Sequence, residues 1–149
     1  MTASTDLSQL GVDVVVAAAR LARLASRDVS ALPHAAMRLM GRLDELGPTR
    51  ISELAKADRC SQPTMSNLVQ RQEDSGWVRR EADPADSRAS LISLTPAGLD
   101  ELNRARHEAG AAIAGRLSQL PPADLETLTA AVAVMHQILT LEPSEESTR

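Results

Sequence analysis

Leu7, Leu10, Val14, Ala17, Leu21 and Leu24 recur at intervals of three and four, and Leu125, Leu128, Val132, Met135 and Leu139 repeat the spacing near the other end of the chain. Such spacing gathers each set on one stripe of an α-helix, the seam along which helices clasp. A chain with a seam at both ends is committed to helices there, and both stripes need something to cover them. The first seam predicts a helix over about residues 6–28. The apolar residues are otherwise chiefly Ala, Leu and Val with some Met and Ile, one Trp and neither Phe nor Tyr. That palette favours helices whose small side chains allow close approach.

Between the seams, proline and glycine divide the chain. A second helix begins at Pro33, runs through Ala36, Leu39, Met40, Leu43 and Leu46, and stops at Gly47-Pro48. Ser52, Leu54 and Ala55 open a short helix that ends near Asp58. After a tight turn Ser61 caps another, with Pro63 in its first turn, a stripe of Met65, Leu68 and Val69, and Gly76 closing it. Two short helices joined this way form a helix-turn-helix. "WVRRE" and "ASLISL" read as two strands joined by the turn-rich "ADPADSR". Thr95-Pro96 caps a long helix running through Leu99, Leu102, Ala105, Ala109, Ile113, Leu117 and Leu120, which Pro121-Pro122 breaks before the last helix.

Taken together, this order resembles the multiple-antibiotic-resistance regulator (MarR) family of winged-helix transcription factors. The stretch "DSRASLISLT", Asp86 to Thr95, is similar to that family's wing signature of Asp, any residue, Arg, five residues and Leu-Thr. "SQPTMSNLVQRQEDSGWVRR" resembles its recognition helix and first wing strand, and the match of order covers about residues 6–140. The resemblance implies a mostly α fold with a small β-hairpin wing. Residues 1–32 and 97–149 would form a helical dimerisation region around a DNA-binding lobe at 33–96, one compact domain overall. It implies a homodimer that binds an inverted-repeat site in double-stranded DNA as a repressor, released in many members by a small ligand or by oxidation.

Elementary geometry assigns the parts. With Met65, Leu68 and Val69 turned inward, Gln62, Pro63, Ser66, Asn67 and Gln70 point outward, and the start of such a helix enters the major groove. Gln62 and Asn67 can bond base edges, while Ser61, Thr64 and Ser66 can donate to phosphates. Arg71 farther along the helix binds phosphate or, alternatively, pairs with a wing carboxylate. One of Arg79 and Arg80 on the first wing strand is expected to face the DNA backbone, and Arg50 and Lys56 beside the first helix of the motif are further positioning candidates. Arg88 at or just behind the wing tip would reach a minor groove or its flanking phosphates, with Asp86 and Ser87 beside it and Asp86 aiming the arginine or fixing the turn. The bland alternatives are a solvated helix face and an exposed Asp–Arg pair of little energetic weight. Two positions depart from the family pattern. Arg59 stands in the turn where Gly is usual, and Gln72 where Leu is usual, which weakens that helix's packing.

The seams of Leu7, Leu10, Val14 and Leu21, and of Leu117, Leu125, Leu128, Val132, Met135 and Leu139, are the expected dimer interface, packing within one monomer being the alternative. The net charge is −4. Residues 50–90 hold seven basic against seven acidic side chains, so charge alone does not announce a nucleic-acid partner. That neutrality supports a rival reading, a winged-helix module that binds protein and not DNA. Cys60, the single cysteine, fills a small apolar slot or, as a further alternative, senses oxidants beside a helix N-terminus. His34, His107 and His136 lack ligand spacing. No nucleophile–base set, paired-Cys site or Gly-rich loop is visible, so no enzyme, metal or cofactor is expected. The N-terminus reads poorly as a signal peptide, and the longest uncharged run is too short to span a bilayer, so a cytoplasmic protein without a membrane partner is expected. An effector cleft would lie between the dimer helices and the lobe, built from aliphatic side chains with Arg or His.

Overall fold

The computed structural model describes residues 6–26 and 32–141, with the side chains of Ser26 and Ser87 outside the description. In chain order the elements are α1 (Leu7–Ser26), α2 (His34–Leu46), β1 (Thr49–Arg50), α3 (Ile51–Ala57), α4 (Gln62–Asp74), β2 (Val78–Asp83), β3 (Asp86–Leu94), α5 (Pro96–Leu117) and α6 (Pro122–Thr140). The fold is mostly helical with a small antiparallel sheet, as expected. The first helix was expected to reach residue 28, and residues 27 and 28 lie outside the described residues. Backbone contacts divide the chain into residues 1–112 and 113–149, a boundary inside α5.

In the first unit one core gathers Ala36, Leu39, Met40 and Leu43 from α2, Leu54 and Ala55 from α3, and Met65 and Val69 from α4. Val78 and Ile92 join from the sheet, Leu102 and Ala105 from α5. Burying side chains of this size stabilises by about 1.5–3 kcal/mol each for the larger ones. Leu68, expected to face inward, is half-buried at the margin of this cluster with Trp77 and Cys60. Gly47 ends α2 at φ 73°, its N–H bonded to the Leu43 carbonyl, where a residue without Cβ reverses the chain most easily.

The sheet has the order β1-β3-β2. The sequence reading contains no β1. Its two residues pair with the far end of β3, Thr49 opposite Ile92 and Arg50 opposite Leu91. A two-residue strand carries no periodicity of its own, so it becomes visible only when its partner is in place. The wing strands are longer than "WVRRE" and "ASLISL" suggest. β2 runs on through Ala82 and Asp83, and β3 starts at Asp86, leaving Pro84-Ala85 as the turn. Register passes from Ala82 opposite Ser90 directly to Asp83 opposite Asp86, so residues 87–89 are a bulge on β3.

Thr95 begins α5 as expected. Its Oγ1 accepts from the Gly98 N–H at 3.0 Å and donates to the Gly76 carbonyl at 2.6 Å, while its own N–H bonds the Trp77 carbonyl. This clamp seats the first turn of α5 against the end of α4. α5 stops at Leu117, short of Leu120, in a turn that ends at Pro121-Pro122. In the second unit Pro121 is the N-cap of α6 and Pro122 its first helical residue.

Candidate nucleic-acid interface

Helix α4 is built to expose one polar face. Ser61 caps it, accepting the Thr64 N–H at 3.2 Å and sharing a 2.8 Å bond with the Thr64 hydroxyl. Met65, Val69 and Gln72 are buried, which leaves Ser61, Gln62, Pro63, Thr64, Asn67, Gln70 and Arg71 exposed and Ser66 half-buried. Asn67 makes no side-chain bond among the described residues, whereas Gln70 donates to Asp74 at 2.9 Å. The Nε of Arg71 makes a long 3.4 Å bond to the Asn67 carbonyl, and Arg71 takes no wing carboxylate as partner.

The wing sorts its arginines. Arg79 is exposed but lies 2.9 Å from Glu81 and donates to the Ser93 hydroxyl. Arg80 is half-buried and bonds Glu73 at the end of α4, at 2.9 Å. Both wing-strand arginines are therefore engaged within the chain. Arg88 is exposed, and its guanidinium has no bonding partner among the described residues. Asp86 does not pair with that guanidinium; its carboxylate accepts the Arg88 backbone N–H at 3.0 Å, which is the turn-fixing role. Arg88 sits in the bulge, behind the Pro84-Ala85 turn. Ser87 belongs to β3, but its side chain lies outside the described residues.

Sequence reasoning missed the anchor of this wing. Asp83 is 7% exposed and forms an ion pair with Arg50, whose Nε donates at 2.6 Å. Asp83 also accepts the Ala85 N–H at 2.8 Å. The Ala85 N–H first, and then the Arg50 guanidinium, hold the Asp83 carboxyl below the ordinary aspartate range and raise Arg50 in return. Arg50 thus supports the wing from the entrance of α3. The "ADP" turn chemistry was a readable signal for Asp83; its distant partner was not.

The two departures from the family pattern have physical outcomes. Gln72 is 6% exposed on the core face of α4, and its Oε1 has no hydrogen-bond partner among the described residues. Arg59 takes the left-handed conformation itself, at φ 52°. Gly98 was passed over in the sequence: a Cβ there would lie 2.0 Å from the Trp77 carbonyl oxygen. A cavity of about 430 Å³ opens beside Leu68, Arg71, Gln72, Ser75 and Trp77, with Pro33 and Ala35 across it.

Of the expected dimer residues in the first unit, Leu7, Leu10 and Leu21 are exposed and Val14 is half-buried. Val12, Val15 and Val16 are exposed as well, so the apolar surface of α1 extends beyond the predicted seam. In the second unit α6 has no buried residue; Val132 and Leu139 are exposed, while Leu117, Leu125, Leu128 and Met135 are half-buried. Among the described residues no helix is long and apolar enough to cross a membrane, and no three His, Cys, Asp or Glu side chains gather into a metal-binding group.

Comparison with known proteins gives a consistent picture. The family model described as "MarR family" matches residues 32–90. The HTH-type transcriptional regulator YxaD of Bacillus subtilis is 37% identical over 60 residues, 40% of this chain and 42% of that protein's length. A probable transcriptional regulator from Pseudomonas aeruginosa is similar in structure, with 30% identity, a TM-score of 0.56, and coverage of 85% of this chain and 96% of that one. Apo MarR from E. coli shares the fold at 20% identity, with a TM-score of 0.63 over 85% of this chain and 96% of the other.

Proposed function

We propose that this chain, which belongs to the MarR family of transcriptional regulators, acts as a homodimeric repressor that reads an inverted repeat in double-stranded DNA. The observation that carries the reading is the division of polar groups on α4 and the wing. Gln62, Thr64, Asn67 and Arg71 are exposed on α4, and Arg88 keeps its guanidinium free while Arg79 and Arg80 are engaged within the chain. Gln62 and Asn67 carry the donor and acceptor pair suited to an adenine edge. A free guanidinium at the wing gains from the negative potential of a narrow minor groove.

The exposed apolar surfaces of α1 and of α6 support dimerisation, because uncovered leucine and valine of this extent are unfavourable in water. Two-fold symmetry then requires half-sites about 10–10.5 base pairs apart, centre to centre. The cavity beside Trp77 is the candidate seat for a small releasing effector, with Trp77 the aromatic residue of its lining.

Selection from random-sequence duplexes at fixed salt, run in parallel on Arg88→Ala, tests the reading. An inverted repeat should be enriched, and the variant should bind it more weakly by about 1 kcal/mol or more. Affinity should also fall steeply with salt as counterions are released. If selection recovers no motif, the protein-interaction module becomes the better account.

A further inference from the structure

The chain ends α3 and α4 with the same device and fills its critical position differently. At the end of α4 the Trp77 N–H bonds the Gln72 carbonyl and the Gly76 N–H bonds the Glu73 carbonyl, with Gly76 at φ 76°. At the end of α3 the Cys60 N–H bonds the Ala55 carbonyl and the Arg59 N–H bonds the Lys56 carbonyl, with Arg59 at φ 52°. Both are the reversed-chain closure in which the left-handed residue is ordinarily glycine. A Cβ makes that conformation unfavourable, so arginine at 59 destabilises a turn that glycine would close freely. Gly76 shows that this sequence uses glycine in such a closure.

The Arg59 side chain returns nothing inside the fold. It is exposed and has no hydrogen bond or ion pair among the described residues. Its neighbour Asp58 is a ready partner, yet that carboxylate is taken by Arg38 of α2 at 2.8 Å. Lys56, one turn back on α3, is exposed too. Arg59 stands two residues ahead of the Ser61 cap. In a helix-turn-helix the start of the second helix enters the groove, so the turn just ahead of its cap, which carries Arg59, is brought toward the groove's phosphate edge.

We propose that Arg59 is a DNA-backbone contact, retained in a left-handed turn at a cost in stability because its unpaired guanidinium neutralises an operator phosphate beside the start of α4. This rests on the DNA-binding reading above. It predicts a separation of stability from binding that a purely structural residue would not produce.

The test measures full-length wild type, Arg59→Gly, Arg59→Asn and Arg88→Ala by thermal melting and by titration across a salt series. The duplexes are the selected inverted repeat and a scrambled duplex of equal length. Asn is included because it tolerates the left-handed region and keeps a side chain. Both Arg59 variants should melt at or above the wild-type temperature. They should bind both duplexes roughly threefold to tenfold more weakly, with the salt slope reduced by about one for each phosphate no longer neutralised. Unchanged affinity and slope in both variants, with wild type binding normally, would overturn the Arg59 proposal alone. A loss confined to the selected duplex would also overturn it, because that is base reading. Wild type that binds neither duplex would remove the DNA-binding reading and this proposal with it.

Discussion

Arg50 and Asp83 lie 33 positions apart in sequence and meet at 2.6 Å, joining the entrance of α3 to the last residue of β2. This ion pair ties the helix-turn-helix to the wing beside the Arg80–Glu73 pair, and the Ala85 N–H reinforces it from the turn. The pairing has a definite pH signature. Because the folded state lowers the Asp83 pKa, its stabilising contribution is fully present above the ordinary aspartate value of about 3.9 and is lost as pH falls through the lower folded value. Thermal unfolding of wild type and Asp83→Asn should thus differ by a constant amount above about pH 5 and converge in stronger acid. A gap that widens on acidification would contradict the assignment.

Gly98→Ala should be among the most damaging small substitutions in the protein. Its Cβ would lie 2.0 Å from the Trp77 carbonyl oxygen, which is backbone and itself bonded to the Thr95 N–H. Relief requires α5 to lift off the end of α4, for a loss of about 1–3 kcal/mol. Denaturant unfolding measures it, and a loss below about 0.5 kcal/mol would show the seat to be looser than described.

Gln72→Leu should stabilise. The glutamine places an unpartnered amide oxygen in a nearly dry site, and leucine of similar length removes that polar atom while keeping the packing. A gain of about 1 kcal/mol or more in unfolding free energy is expected. If stability falls instead, the carboxamide has a partner worth more than the apolar replacement.

Leu139→Asp should separate copies of the chain. Leu139 is 82% exposed on α6, so a charge there leaves the isolated chain intact while opposing burial against a partner. Sedimentation should show a dimer for wild type and a dissociation constant raised at least about tenfold in the variant. Equal masses at all concentrations would put the interface elsewhere.

Much of this architecture is legible in the sequence alone. The Ser61 cap, the Gly47 stop and the Pro121-Pro122 break follow from local backbone chemistry, and each stands where the sequence indicates. The buried stripe of α4 was legible as Met65 and Val69 for the same reason. What escaped depends on residues far apart. Thr49-Arg50 becomes a strand only because β3 passes beside it, and Arg50 meets Asp83 only once the hairpin folds back. Of the two roles the sequence left open for Asp86, the bond it makes is the turn-fixing one, to the Arg88 backbone N–H. The extra apolar surface on α1 lies off the seam that the spacing marks, at Val12, Val15 and Val16.

The bulge in the wing has a bearing on how such a protein can change. Asp83 is tethered and so fixes the β2 side of the hairpin, whereas residues 87–89 of β3 face no partner across the ladder. All the slack is on the strand that carries Arg88. Residues can be added or removed there without disturbing the tether or the hydrophobic interior. The fingertip can thus be re-aimed while the palm stays still, so a descendant sequence has room to move Arg88 by editing three positions.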